Sequence, residues 1–144
     1  MEIKGEWQFC EDGIVRPVIL GRFESADGEW VNAELLIDTG ADRTVLNTEI
    51  LQKLGIDLLE SEEGISGLGG VTDAVLIQTK LQLFRETGAP ITFHSHFTAV
   101  TDPTALDLSV LGRDILDMFA LIVDRPGNIV CLLSQRHRYE IIQE

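Results

Sequence analysis

The chain has 144 residues, enough to form one domain over 1–144 that buries about 70% of its extended-chain surface without disulfides or a structural metal. Its 44% hydrophobic and 24% charged content excludes wholesale disorder. Eleven Lys+Arg against 24 Asp+Glu give a formal charge of −13, which repels phosphate backbones and anionic lipid, so neither a nucleic acid nor a membrane is expected as partner.

The dominant pattern is alternation with period two, the mark of strands with one buried face. Ile3, Trp7 and Phe9 alternate with Glu2, Lys4, Glu6 and Gln8, and a turn at Glu11-Asp12-Gly13 follows. The apolar run Ile14–Phe23 is interrupted by Arg16 and Pro17; Asp27-Gly28 then turns the chain into a strand over Trp30–Ile37. Two tandem hairpins are predicted. Asn47 has the side chain to cap a short helix carrying Ile50, Leu51 and Leu54, and Gly55 stands where a left-handed residue commonly ends one. Glycines cluster at Gly64, Gly67, Gly69 and Gly70, ahead of a long strand with Val75, Ile77, Leu81 and Leu83 on one face. Thr87-Gly88-Ala89-Pro90 turns the chain into a strand whose apolar face carries Ile91, Phe93 and Phe97. Asp114–Phe119 suits one or two helical turns with Asp114 as cap, and Asp124–Asn128 is turn chemistry between two apolar strands. Many short strands at this spacing predict a mostly β chain, a closed or partly closed barrel with two short helices.

Cys10 and Cys131, far apart and without C-x-x-C spacing, read as reduced thiols. The first residues lack a cationic segment followed by an apolar core, so no signal peptide is expected. No apolar run approaches the ~20 residues that span a bilayer. The expected location is cytoplasmic.

One segment departs from routine strand material. Leu35-Leu36-Ile37 runs directly into Asp38-Thr39-Gly40-Ala41-Asp42 before apolar character resumes at Val45-Leu46. A carboxylate there is partly desolvated, Thr39 offers a hydroxyl to tie loops together, and Gly40 lets a second backbone come close. Taken alone, Asp-Thr-Gly also suits an ordinary turn in which Asp38 bonds its own backbone. A second segment, Val110-Leu111-Gly112-Arg113-Asp114-Ile115-Leu116, changes the balance, and Gly64-Ile65-Ser66-Gly67-Leu68-Gly69-Gly70 lies between the two. Together, in this order, they resemble the retropepsin-like aspartic proteases over residues 14–133, leaving 134–144 as a tail. The helix-like stretch Asn47–Leu54 and the hairpin Phe119–Leu133 look more like the cellular domains of the DNA-damage-inducible protein type than like viral enzymes.

The resemblance implies a single-lobe retropepsin-like β-barrel, homodimeric, acting as an aspartic endopeptidase on polypeptide substrates. Such chemistry needs two carboxylates about 3 Å apart that share one proton. The sequence has one Asp-Thr-Gly and no Asp-Ser-Gly, so each chain supplies one catalytic carboxylate, Asp38, and a dimer is required. By position, Thr39, Gly40 and Ala41 would support the active-site loops, with Thr39 bonding across the dimer. Asp42 and Arg43 would bind substrate, Asp42 also pairing with Arg113 near the interface, and Gly112 with Arg113 would brace the site. Gly67, Leu68 and Gly69 would form a flap tip, and Leu108 and Val110 would line side-chain pockets. Arg43 replaces an acid frequent in viral members, and Ala41 implies an optimum less acid-shifted than that of pepsin-like relatives.

No cofactor and no metal are expected. His94 and His96 share with Thr92 and Thr98 a strand face that reads as solvated, and no further Cys or His completes a ligand set. Glu60–Glu63 and Arg136-His137-Arg138 read as a solvated loop and a basic tail, and Trp7 and Trp30 as core or interface anchors. The alternatives are a noncatalytic dimerisation or peptide-binding module on the same architecture and, more weakly, a metal-dependent hydrolase using Asp38, Asp42 and the histidines.

Overall fold

The computed structural model describes residues 2–57, 61–67, 70–134 and 140–143, with the backbone alone described at 61–67 and 70–72. In chain order the elements are β1 (Glu2–Lys4), β2 (Glu6–Phe9), β3 (Val15–Glu24), β4 (Trp30–Ile37), β5 (Val45–Leu46) and α1 (Thr48–Leu54). There follow β6 (Ser61–Gly67), β7 (Gly70–Leu83), β8 (Ile91–Val100), β9 (Ser109–Leu111), α2 (Arg113–Leu116), β10 (Ala120–Asp124) and β11 (Ile129–Leu133). Among the described residues no helix is long and apolar enough to cross a membrane.

The two predicted hairpins form, β2 with β3 and β3 with β4, each antiparallel. The barrel closes because β3 pairs both β4 and β7, completing a ring through β9, β5 and β8. Two contacts in that ring, β4–β9 and β5–β8, are parallel, so the predicted barrel is mixed rather than purely antiparallel. β1, β11 and β10 make a separate antiparallel sheet.

Alternation explains the interior. Val75, Ile77, Leu81 and Leu83 all point inward from β7, and Thr79 on the same face is satisfied by donating its hydroxyl to the Glu24 carbonyl at 2.6 Å. Phe23 meets Phe97 edge-on with ring centroids 5.6 Å apart, a pairing that adds about 1 kcal/mol to the area both rings bury. Arg22 lies over the Trp30 ring at 4.7 Å and bonds Gln82, which accounts for the half-buried Trp30. Trp7 shares its indole N–H between the Asp124 and Ile129 carbonyls at 3.2 Å each, tying β2 to the final hairpin.

Three local expectations need correction. The first strand is two strands, because a Cβ at Gly5 would lie 2.3 Å from the Val18 carbonyl; the chain changes sheets at this close crossing, leaving Phe9 74% exposed. Asp114 is not the α2 cap; Gly112 holds that position without a side-chain bond, and the Asp114 carboxylate is used elsewhere. Thr98 leaves the solvated face of β8 and is buried, because β5 and β7 pair with β8 on both sides at that point. His94 and His96 remain exposed.

Helix α1 follows its sequence signals. The Asn47 side chain accepts from the Ile50 amide at 3.0 Å, and Gly55 ends the helix at φ 60°. The same Asn47 amide group donates to the Asp107 carbonyl, and its backbone N–H donates to the Ser109 hydroxyl, so one residue caps a helix and seats the segment entering β9. Asn47→Ala is expected to lower stability by about 2 kcal/mol, read from the denaturant midpoint at unchanged m-value.

Candidate active site

Strand β4 ends at Ile37, and its parallel neighbour β9 ends beside it at Leu111. Two chain ends leaving one barrel rim together bring the two sequence motifs into contact. The Asp38 amide donates to the Leu111 carbonyl at 3.2 Å, so the carboxylate-bearing residue hangs directly from the second motif. Asp38 is half-buried, and its Oδ1 accepts the Gly40 amide at 3.0 Å. The Ala41 amide closes the turn on the Asp38 carbonyl. The ordinary-turn geometry considered from sequence is therefore present, and it is what aims the carboxylate.

Further bonds fasten the loop along its length. Arg113 N–H donates to the Ala41 carbonyl at 2.8 Å, and Asp114 N–H donates to the Asp42 carbonyl at 3.2 Å. The Arg113 guanidinium pairs with the Asp42 carboxylate, both side chains largely exposed. Gly112 has no room for a side chain, since a Cβ there would sit 2.3 Å from the Arg43 carbonyl carbon and oxygen. Thr39, Gly40, Asp42 and Arg43 are exposed and Ala41 is half-buried in the single chain.

Beside Leu36 a cavity of about 810 Å³ opens, lined among others by Leu36, Leu106, Leu108 and Val110 together with Gln8 and Arg16. Asp38 is not part of its lining; it lies two residues beyond Leu36, just past the end of β4. Val110 is 6% exposed and packs with Val45 and Val100, so it is as much a core residue as a wall. Arg16 is held by Asp12 through two bonds of 2.9 and 2.6 Å. That guanidinium, with the Ile14 amide, holds the Asp12 carboxyl down at about 2. No local pattern marks Gln8, Arg16, Leu36 or Leu106 as cavity residues; the one visible signal is a cation, Arg16, breaking the apolar run Ile14–Phe23.

The β6–β7 hairpin pairs Gly67 with Gly70 at its end, after a register shift between Glu62 and Ile65. Leu68 and Gly69, predicted at its tip, lie outside the described residues, as do Glu60 and the basic Arg136-His137-Arg138. Among the described residues no three His, Cys, Asp or Glu side chains gather to hold a metal, and Cys10 and Cys131 are free thiols.

A family model for aspartyl proteases matches residues 25–115, from the turn before β4 through the middle of α2. The chain belongs to the aspartyl protease family. The barrel of this family member is similar to a retropepsin-like aspartic protease from Rickettsia conorii, at 22% identity and a TM-score of 0.57, covering 92% of this chain and 90% of that one. That likeness gives the fold its retropepsin-like assignment. Two further solved structures are similar at lower superposition. The EIAV protease complexed with the inhibitor HBY-793 is 27% identical over 71% of this chain and 86% of its own, with a TM-score of 0.48. The retroviral protease-like domain of Ddi1 from Leishmania major is 18% identical over 81% and 94%, with a TM-score of 0.44. Among curated proteins none matches significantly. Family and fold together support aspartic protease activity in general terms.

Proposed function

We propose that this aspartyl protease family member is an endopeptidase working as a homodimer, with Asp38 of each subunit forming one catalytic dyad. The observation that carries the reading is a single Asp-Thr-Gly whose carboxylate is aimed by the Gly40 amide on a loop sewn to Leu111–Asp114. Half of a two-carboxylate site per chain becomes whole only across a two-fold axis.

In this dyad one carboxylate is ionised and removes a proton from the attacking water. The other, protonated, donates to the scissile carbonyl oxygen, and the roles exchange when the departing amine is protonated. The shared proton belongs to the pair, which titrates as a unit. Thr39 bonds across the two loops, while Gly40 and Ala41 keep their approach unobstructed. Asp42, held by Arg113, and Arg43 receive the peptide backbone or its polar side chains. Leu108 and Val110 form walls for apolar side chains, and Gly112 keeps the supporting turn thin. The extended substrate lies under the β6–β7 hairpin, bonding main chain to main chain, with Gly67, Leu68 and Gly69 closing over it and excluding water.

Dilution tests the assembly directly. Specific activity toward an unfolded polypeptide is expected to fall as protein concentration passes below the dimer dissociation constant, and a hydroxyl-containing transition-state mimic should restore dimer and block turnover. Turnover per chain that stays constant while sedimentation shows monomer would exclude the shared dyad. Binding of peptide without cleavage would favour the noncatalytic module.

A further inference from the structure

The two motif segments are joined by a second junction at the far end of the Asp38 loop, built around Thr44. Thr44 is fully buried. Its hydroxyl donates to Asp114 Oδ1 at 2.7 Å and accepts the Gly112 amide at 3.2 Å, and its own amide donates to the same Oδ1 at 2.9 Å. A third donor, the Ile115 amide, reaches that oxygen at 2.9 Å. One carboxylate oxygen thus collects three hydrogens, two from the end of the Asp38 loop and one from the first turn of α2.

We infer that Asp114 and Thr44 are positioning residues, an acceptor on an exposed residue and a buried hydroxyl that together set the height of the Asp38 loop over the end of β9. The reading rests on Asp38 being the catalytic carboxylate. Loop 38–44 has two anchor regions. Near Asp38 the tie is a bond to the Leu111 carbonyl, and at the far end it is Thr44 on Asp114 and Gly112. Between them, Ala41 and Asp42 bond the amides of Arg113 and Asp114, so a shift of α2 is transmitted to the residues that follow Asp38. Removing the Asp114 acceptor leaves the Thr44 hydroxyl and amide buried without it. The low-cost response is for the loop end to move toward water and carry the carboxylate off its productive position. Only an acceptor at Oδ1 is needed, so the negative charge of Asp114 is dispensable.

The test compares Asp114→Ala and Thr44→Val with the conservative Asp114→Asn and Thr44→Ser, each as full-length dimer at saturating protein concentration. Both disruptive variants are expected to lose about 10–100-fold in kcat, with KM changing by a smaller factor, because Leu36, Leu108 and Val110 at the cavity are not altered while the Asp38 loop shifts. Both conservative variants should recover kcat to within about threefold of the original chain, and the double disruptive variant should lose little more than either single one. A loss confined to KM, a loss cured by raising protein concentration, or failure of both conservative variants to recover kcat would overturn the inference. Amide hydrogen exchange gives a readout independent of catalysis: in Asp114→Ala the Ala41 and Thr44 amides should exchange about tenfold faster while those of β7 and β8 do not. If the unaltered chain cleaves nothing, the proposed activity fails, and this exchange pattern alone decides the positioning role. Unchanged exchange at both amides would refute it whatever the activity.

Discussion

Asp38→Asn is expected to abolish peptide hydrolysis and to leave the barrel standing. Asn keeps an oxygen at the place of Oδ1, so the Gly40 amide retains its acceptor and the turn at the end of β4 keeps its shape. In the proposed dimer the substitution would remove every group able to exchange the shared proton, from both sides at once. General acid–base work contributes about 10²–10⁴-fold, and with both partners gone the expected fall in kcat/KM is at least about 10³-fold. Stability should stay within about 1 kcal/mol, since no packed atom is lost. The measurement pairs a cleavage assay with the denaturant midpoint. Cleavage at the original rate by a folded Asp38→Asn chain would remove Asp38 from the mechanism.

Gly112→Ala is expected to be the most damaging single methyl group in the site. Gly112 has φ −97°, a conformation open to any residue, so the requirement for glycine here is steric. The added Cβ would meet Arg43 backbone carbon and oxygen at 2.3 Å and nitrogen at 2.9 Å, and backbone on both sides has nowhere to relax without breaking the bonds from Arg113 and Asp114 to the loop. Overpacking of this kind costs about 3 kcal/mol. It should appear as a lowered denaturant midpoint together with faster exchange of the Ala41 and Thr44 amides. An alanine chain as stable as the original would show that the two motif segments can part freely. Crowding of backbone against backbone, absent from any local pattern, then could not explain why glycine stands there.

Much of this architecture was legible in the residue order because the relevant physics is local. Alternation placed β4 on Trp30–Ile37, and cap chemistry set the limits of α1 at Asn47 and Gly55. The candidate site was legible as three segments in order, through resemblance; composition alone would have read Asp38-Thr39-Gly40 as a turn. The misplaced details share a cause. Alternation puts Phe9 on a buried face because it has no knowledge of the close crossing at Gly5. A carboxylate before an apolar run suggests a cap, whereas here Asp114 lies inside α2 and its Oδ1 also takes the amide and hydroxyl of Thr44, distant in sequence.

By itself, then, the amino-acid order determined strand faces, turns, the short helices and the presence of one acid loop per chain, since each depends on neighbours a few residues away. Tertiary structure alone decided that β9 runs parallel to β4 and that β3 reaches β7 to close the ring. It likewise decided that Gly112 passes under Arg43 with no space to spare. Those outcomes depend on backbone groups that meet across the barrel, and a pairing partner brought in from far along the chain leaves no periodic trace in the segment it joins.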